Sequence, residues 1–247
     1  MRASIASTTV LAALATVMVL PAGAASARPD TRAPKIASVS APAIVGLTSK
    51  GAVFDITVRA TDNIDVARVV VGLIDTAGKY EKPVGIVAKR VAGMSWDGTY
   101  RARVTMPTSV PLGTWHVSAF AEDNQGNRST GATTVRDTFV LKYATRITGL
   151  NASPEPVRKG APVVVKGRLQ QAVVGGWAAY AGRSVIVQFR KAGAQTWAKV
   201  GTTTAGANGT FSFSTTAKAT GGWRAFYRGD KAKAKATSAV DKVALAR

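Results

Sequence analysis

The sequence predicts an all-β protein built from two tandem β-sandwich domains. Short segments alternate apolar and polar residues with a period of two, and glycine, proline, asparagine and aspartate recur between them. Short strands at this spacing, with turn residues between them, are typical of a sandwich. After the first thirty residues, no long segment shows the 3.6-residue period of a helix. The alternation therefore favours sheets throughout the mature chain.

The domain organisation follows from composition along the chain. We expect a signal peptide at 1–27, a flexible, proline-rich lead-in at 28–36, a first sandwich at 37–141, a junction at 142–146 and a second sandwich at 147–247. The chain contains no cysteine, so neither sandwich can be held by a disulfide. Each must be stabilised by core packing alone, which about 100 residues can provide.

The first residues indicate export. Arg2 provides a positive charge, residues 10–20 are apolar, and Ala25 and Ala27 form a small-x-small cleavage pattern. This is the pattern of a secretory signal peptide. The apolar run is shorter than the roughly 20 residues that a spanning helix requires. We therefore expect no transmembrane segment and a secreted, extracellular protein, with cell-wall association as the finer alternative; the end of the chain carries no sorting signal for covalent wall anchoring.

Alternation places the strands and their core faces. In the first sandwich we predict strands at 53–62, 67–75, 99–106 and 113–123, and in the second at 161–169, 183–190, 196–204, 209–216, 222–229 and 237–246. Asn208-Gly209 lies between two of these and predicts a hairpin turn, because both residues accept a positive φ. Trp115 and Trp223 alternate with apolar residues and are predicted to be core.

Positive charge is concentrated in the second half. Residues 37–141 carry 11 basic and 9 acidic side chains, a balance of +2, whereas residues 143–247 carry 17 basic and 3 acidic ones, a balance of +14. Self-repulsion of that size opposes a compact state and exceeds what solubility requires. The asymmetry favours an anionic partner for the second sandwich.

Strand alternation suggests where that partner would bind. In 222–229 the side chains of Arg224, Phe226 and Arg228 share the face opposite Trp223, and in 183–190 the outward face carries Arg190. If the two segments are neighbouring strands, these residues form one patch. The following turn adds Lys231, Lys233 and Lys235 at alternate positions. A basic patch of this kind attracts phosphate polymers and anionic glycans.

The predicted export of the protein limits the class of partner that we expect. Nucleic acid would suit the charge, but export argues against it, and no nucleic-acid-binding motif accompanies the basic residues. An anionic cell-envelope polymer or an extracellular glycan fits better. The sequence does not indicate the oligomeric state.

Enzymatic chemistry is not expected. His116 is the only histidine, no G-x-S-x-G motif is present, and the three glutamates form no evident catalytic pair. Without cysteine, a zinc site has no ligand set. We predict a protein that is not an enzyme and that needs no cofactor.

Two weaker alternatives concern accessory binding. Asp62 and Asp65 follow one predicted strand, and Asp123 and Asn127 follow another, so an immunoglobulin-like topology would bring these oxygen ligands to one end as a calcium site. The same residues also favour ordinary turns. Carbohydrate binding would need an exposed aromatic ring; we expect Trp96 to cover one end of the core and leave Trp177 and Trp197 open.

Several segments resemble a known family. SWDGTYRARVTMP and PLGTWHVSAFAEDNQGN, within 95–127, are similar to the bacterial immunoglobulin-like domains of secreted actinobacterial proteins. NASPEPVRKGAPVVVKGRL, YAGRSVIVQFR, GTFSFSTTA and GWRAFYRGD resemble a related module. The resemblance implies two tandem immunoglobulin-like sandwiches that act as adhesive, accessory or spacer units. The lysines of GDKAKAKATS depart from that pattern.

Two functions follow from these observations. The first is a secreted binding or adhesive protein that uses the basic second sandwich on anionic polymers. The second is a passive structural or spacer protein without a specific ligand. A calcium-binding or carbohydrate-binding accessory module ranks third.

The cleavage pattern makes a direct prediction. Signal peptidase should cut after Ala27, because Ala25 and Ala27 occupy the small-residue positions, so the mature chain should begin at Arg28. Edman sequencing of protein from the culture medium measures this. Recovery of chains that retain Met1 from the cytosol would contradict export.

Overall fold

Period-two alternation produces strands in every part of the chain that the structure describes. The computed structural model describes residues 29–76, 85–131 and 134–246, which contain seventeen strands and no helix. No helix that could cross a membrane is found in those ranges. The predicted signal peptide at 1–27 lies outside them, and Pro29 and Asp30 stand outside the compact unit that begins at Thr31.

The first eight strands form one sandwich. They are β1 (Lys35–Ser40), β2 (Ile44–Leu47), β3 (Ala52–Thr61), β4 (Arg68–Asp75), β5 (Ile86–Gly93), β6 (Asp97–Met106), β7 (Gly113–Glu122) and β8 (Asp137–Tyr143). Their order is β1-β3-β6-β5-β4-β7-β8-β2, with β2 parallel to β8. β5 pairs with β4 through its first residues and with β6 through its last ones, so it passes from one layer to the other.

Alternation in β3 and β7 builds the core between these layers. Every second residue of each strand is buried, and the buried set is Ala52, Phe54, Ile56, Val58, Ala60, Trp115, Val117, Ala119 and Ala121. Trp115 stacks on Phe139 with ring centroids 6.2 Å apart, and its Nε1 donates to the carbonyl of Pro111 at 3.1 Å. The predicted core position of Trp115 is confirmed. Trp96, by contrast, is 52% exposed and does not cover the core.

The remaining nine strands form two further sheets. They are β9 (Thr145–Ser153), β10 (Pro162–Val173), β11 (Gly176–Ala179), β12 (Ser184–Lys191), β13 (Ala198–Thr204), β14 (Thr210–Thr216), β15 (Gly221–Tyr227), β16 (Ala236–Thr237) and β17 (Asp241–Val243). β10 is flanked by β9, β11 and β14, while β12 and β15 are central in the other sheet. β13 flanks β12, and β16 and β17 flank β15.

This strand order is that of an immunoglobulin-like sandwich. The layer β9-β10-β14 faces the layer β13-β12-β15-β17, and strands that are far apart in sequence become neighbours. Leu169 and Val165 of the first layer pack with Val185, Val187 and Trp223 of the second around the buried interior. The all-β, immunoglobulin-like fold class is therefore confirmed.

A turn is present at Asn208-Gly209 between β13 and β14, but the predicted hairpin is wrong, because β13 pairs with β12 and β14 pairs with β10 in the other sheet. Gly209 has φ +79°, a conformation that other residues rarely adopt, and an added Cβ would collide with the carbonyl oxygen of Leu169. Asn208 Oδ1 accepts a hydrogen bond from the Thr210 amide at 3.1 Å. Glycine is required at this turn by both the backbone angle and the close approach.

Three predicted boundaries differ from the structure. β1 begins at Lys35, inside the predicted lead-in at 28–36. The predicted strand at 237–246 is divided into β16 and β17, because Ser238 Oγ replaces a backbone carbonyl and accepts from the Ala225 amide at 2.9 Å. The predicted junction at 142–146 is strand except for Ala144, whose amide donates to Leu47 and whose carbonyl accepts from Ala172.

The burial of Trp115 makes a prediction about stability. Trp115→Ala should lower the free energy of unfolding by about 3–5 kcal/mol, because it leaves a cavity against Phe139. Trp96→Ala removes an equally large but exposed ring and should change it by about 0.5 kcal/mol or less. Urea unfolding of both variants measures the difference. Equal losses would contradict the assigned core.

Candidate functional site

The strand register places a row of polar side chains on the outer face of the sheet β13-β12-β15-β17. Gln188 of β12 faces both Arg224 of β15 and Lys199 of β13. Two residues further along β12, Arg190 faces Gly222, which in turn faces Lys242 of β17. Directly paired residues project on the same side of a sheet. The outward row therefore consists of Gln188, Arg190, Lys199, Arg224 and Lys242.

Trp197 lies between the two arginines of this row. The guanidinium carbon of Arg224 is 4.2 Å from the indole centroid, and that of Arg190 is 4.7 Å from it. A side chain at Gly222 would collide with Val240, since an added Cβ would lie 2.8 Å from its Cγ1, and it would be in ordinary contact with the ring of Trp197 at 3.5 Å. We call Arg190, Trp197, Lys199, Arg224 and Lys242 the Trp197 face.

A hydrogen bond orients Arg224. Its Nε donates to Gln188 Oε1 at 2.8 Å, and its terminal nitrogens have no hydrogen-bond partner among the described residues. Burial, together with the neighbouring charge of Arg190, lowers the pKa of Arg224 from its ordinary value. An arginine remains protonated at neutral pH even so. The side chain is thus a half-buried, charged donor whose terminal nitrogens can still bind an anion.

These cations are not neutralised by nearby carboxylates. The ion pairs among the described residues include Arg59–Asp97, Arg68–Glu122, Arg103–Asp55 and Arg128–Glu122, all in the first sandwich. Residues 145–246, all of which the structure describes, contain none. Asp241 is engaged instead with the Ala152 amide at 2.7 Å. The positive charge of the second sandwich is therefore available to an external anion.

A groove of about 460 Å³ adjoins the Trp197 face. Its cationic lining comes from Arg190, Lys191 and Lys242, and its only carboxylate from the described residues is Glu155. Gly221 and Gly222 form part of its lining. Oxyanions bind well where arginine and lysine donors converge in this way.

The structure divides the predicted basic patch into two parts. Arg190 and Arg224 lie together near the start of β15, and Phe226 follows on the same face, paired with Ile186. Arg228, Lys231 and Lys235 are exposed, but they come after the end of β15. Four residues of strand span about 13 Å, so Arg228 and the loop do not continue the cluster around Trp197.

Lys233 is placed differently from the other two lysines of the loop, and its part in anion binding stays a prediction. Its ammonium lies 4.3 Å from the ring centroid of Tyr143 and 5.8 Å from that of Tyr180, and burial lowers its pKa. Its amide donates to Asp230 Oδ1 at 2.8 Å. Lys233 is held against aromatic rings, which attract its charge, and does not project outward with Lys231 and Lys235.

Asp230 organises the same loop. One of its oxygens accepts hydrogen bonds from the hydroxyls of Tyr180 at 2.5 Å and Tyr227 at 2.8 Å. Partial burial alone would raise its pKa, but these bonds and two backbone amides outweigh burial and hold the pKa at about 2. The loop also pairs with Tyr143, whose amide donates to Ala232 at 3.0 Å. It is an ordered contact with β8.

Sequence reasoning missed Lys199 and Lys242 of the Trp197 face, and it considered Trp197 only as an exposed ring for carbohydrate. Trp197 directly precedes the edge strand β13, Lys199 belongs to it, and Lys242 belongs to β17, which the sequence did not separate from β16. The two-residue spacing from Trp197 to Lys199 was a usable signal. It could be interpreted only once β13 was known to pair with β12.

The proposed calcium ligands lie at one end of the first sandwich, as the topology predicts. The side-chain amide of Asn124 donates to Asp65, and carboxylate oxygens of Asp62 and Asp123 lie within 4.8 Å of each other. Asp123 Oδ1 accepts from the Asn127 amide at 2.8 Å, and its Oδ2 accepts from the Asn127 side chain at 2.7 Å.

Turn formation accounts for most of these groups. Asp62 Oδ2 accepts from the Ile64 and Asp65 amides at 3.0 and 3.1 Å, which is the usual role of aspartate after a strand. Asp62 Oδ1 and Asp65 Oδ1 are shielded from solvent and accept no hydrogen bond from the described residues. The calcium site stays a prediction.

Comparison with known proteins identifies no family. No protein-family profile and no curated sequence matches the chain. Among solved structures, it resembles trypsin-activated α-2-macroglobulin from Escherichia coli at 13% identity and TM-score 0.29, over 85% of this chain and 15% of that one. It resembles the D0–D1 domains of intimin at 12% identity and TM-score 0.30, over 85% and 98%.

A third similar structure is the Escherichia coli adhesin FdeC, at 18% identity and TM-score 0.29, over 85% of this chain and 64% of that one. Likeness at this level carries no argument about activity or ligand. The function must therefore be argued from the residues of the chain itself.

The hydrogen bonds to Asp230 make the free energy of unfolding depend on pH in the acidic range. The pKa of Asp230 is about 2 when folded and about 3.9 in an unfolded chain, so its stabilising effect is complete above about pH 4 and is lost as pH falls towards 2. Asp230→Asn should be less stable than the parent near pH 7, and the gap should narrow over that acidic interval. Urea midpoints measured at several pH values test this.

The control is Asp55→Asn, which removes a partly exposed carboxylate paired with the exposed Arg103. Exposed pairs contribute about 0–1 kcal/mol, so its effect should be small. A gap for Asp230→Asn that stays constant down to pH 2 would contradict the assignment.

Proposed function

We propose that the protein is an exported, non-enzymatic binding protein that holds anionic cell-envelope polymers or extracellular glycans on the Trp197 face. One observation carries the proposal: Arg190 and Arg224 converge on Trp197 on an outward sheet face, and no carboxylate of residues 145–246 pairs with either. Two like charges held close together repel each other, so an anion that contacts both guanidinium groups relieves a repulsion already present in the folded chain.

Preorganisation supports this choice of site. Gln188 and Trp197 hold Arg224 in one orientation before any ligand arrives. Ordering a flexible arginine on binding would cost about 0.5–1.5 kcal/mol, and that cost is reduced here. Lys199 and Lys242 extend the positive surface to either side, which suits a linear polymer with repeated negative charges.

The compartment favours polymers found outside the cell. The predicted leader directs the chain to export, and the resemblance of 95–127 to immunoglobulin-like domains of secreted actinobacterial proteins agrees with a surface role. Wall teichoic acid and related phosphodiester polymers have the required repeated charge. Nucleic acid is not the ligand we propose.

Removal of the two arginines tests the proposal. Arg190→Gln with Arg224→Gln should weaken binding to immobilised long-chain polyphosphate by about tenfold or more, the effect of about 1.4 kcal/mol. The slope of log affinity against log salt should also flatten, by about 0.7 for each phosphate that the variant no longer neutralises if the polymer behaves as a single strand. Surface plasmon resonance at several salt concentrations measures both quantities.

A charge-matched control separates a site from diffuse attraction. Lys89→Gln with Arg101→Gln removes two exposed, cross-strand cations from the first sandwich. This variant should bind almost as the parent does, and thermal unfolding should confirm that both variants are folded. Equal losses in the two variants, or binding that does not saturate, would contradict a specific site and favour the spacer function.

A further inference from the structure

The opposite sheet of the second sandwich repeats the arrangement around Arg224. Gln170 of β10 and Arg146 of β9 are direct cross-strand partners, as Gln188 and Arg224 are. Arg146 Nε donates to Gln170 Oε1 at 2.9 Å, against 2.8 Å in the other sheet.

An indole covers the guanidinium in both places. The guanidinium carbon of Arg146 lies 4.2 Å from the centroid of Trp177, the same distance that separates Arg224 from Trp197. Each sheet therefore carries one glutamine–arginine–tryptophan cluster, built from two paired strands and a neighbouring hairpin or edge strand.

Each cluster orients an arginine so that its guanidinium can bind an oxyanion. The glutamine oxygen accepts the hydrogen bond from Nε of the arginine, and the indole covers one face of the guanidinium plane. The terminal nitrogens of Arg146 have no hydrogen-bond partner among the described residues. An arginine fork held this way donates two parallel hydrogen bonds to a phosphate or carboxylate group.

Further cations continue the second cluster along β10. Arg168 and Lys166 alternate with the buried Leu169 and Val165, so they project from the outer face on the same side as Gln170. They line a groove of about 720 Å³ at the edge where β14 approaches β13 of the other sheet, and its other hydroxyls come from Thr148, Thr203, Thr204, Thr210 and Ser212. We call Arg146, Lys166, Arg168 and Trp177 the Trp177 face.

The two faces point in opposite directions. They belong to the two layers that enclose the core formed by Leu169, Val165, Val185 and Val187, and packed sheets lie about 10 Å apart. A polymer that lies along one outer face would have to turn around the edge of the sandwich to reach the other.

We propose that the Trp197 face and the Trp177 face bind two separate polyanion chains, so that the protein cross-links anionic polymers. This inference rests on the proposed function of the Trp197 face and adds a second site and a bridging activity to it. The partner is a linear phosphodiester or similarly charged polymer at each site.

A two-step capture assay tests bridging with the full mature chain. Long-chain polyphosphate is immobilised at low density, the protein is bound to it and the excess is washed away, and fluorescent long-chain polyphosphate is then added. The parent protein should capture the fluorescent polymer. Arg146→Gln with Arg168→Gln disables the Trp177 face, and Arg190→Gln with Arg224→Gln disables the Trp197 face.

Each single-face variant should still bind the immobilised polymer, more weakly than the parent, while its capture of fluorescent polymer falls by about tenfold or more, since it lacks the second attachment. The control Lys89→Gln with Arg101→Gln should capture as the parent does. Comparison at equal amounts of bound protein separates capture from attachment, and thermal unfolding confirms that each variant is folded.

Three outcomes would overturn the inference, and they differ in meaning. If both single-face variants capture normally, diffuse charge and not two faces causes the bridging. If only the Arg190 and Arg224 variant is impaired in attachment and the Trp177 variant captures normally, the proposed function stands with a single site. If the parent does not attach to polyphosphate at all, the proposed function itself fails.

Discussion

Both sandwiches depend on the burial of one side of most of their strands. The chain has no cysteine, so no covalent cross-link supports the packing of the sheets. Apolar residues must therefore fill the interior at alternate positions, as Phe54, Ile56 and Val58 do in β3 and as Val163 and Val165 do in β10. The same alternation obliges the intervening residues to face outward. The outer faces are in consequence free to carry charge at a regular spacing.

The second sandwich uses that freedom differently from the first. Outward arginines of the first sandwich, such as Arg59 and Arg103, meet aspartates on neighbouring strands. In the second sandwich, Arg146 and Arg224 meet a glutamine and an indole instead. A neutral partner orients the guanidinium without cancelling its charge. This choice of partner explains how a half with a balance of +14 can present ordered cations on its surface.

Polar groups that are buried at the contact between the two halves order the loop that follows β15. Tyr180, Tyr227 and Asp230 satisfy one another, and Lys233 packs on Tyr143, so a loop that is rich in lysine becomes ordered. Tyr143 belongs to β8 and pairs with this loop through its backbone. Because Ala144 is the only residue between β8 and β9, the connection has little length over which to bend. A rigid connection would keep the basic faces at a constant orientation to the first sandwich.

Local pattern determined much of the fold. Period-two alternation was enough to predict the sandwich class, the core side of β3 and β7 and the burial of Trp115 and Trp223, because each depends only on neighbours in sequence. Counting charges along the chain was enough to identify the second half as the strongly basic one. The Asn208-Gly209 turn was likewise local, since the left-handed backbone angle belongs to the glycine itself.

Only the tertiary structure decided which outward residues meet. Trp197, Arg190 and Arg224 come from three different segments of the chain, and their convergence depends on the register of β12 with β13 and β15. The same holds for Lys233, which alternation placed outward but which the contact with Tyr143 turns inward. Alternation along a strand determines the side of the sheet on which a residue lies. The pairing of strands, which depends on packing between distant segments, determines its neighbours there.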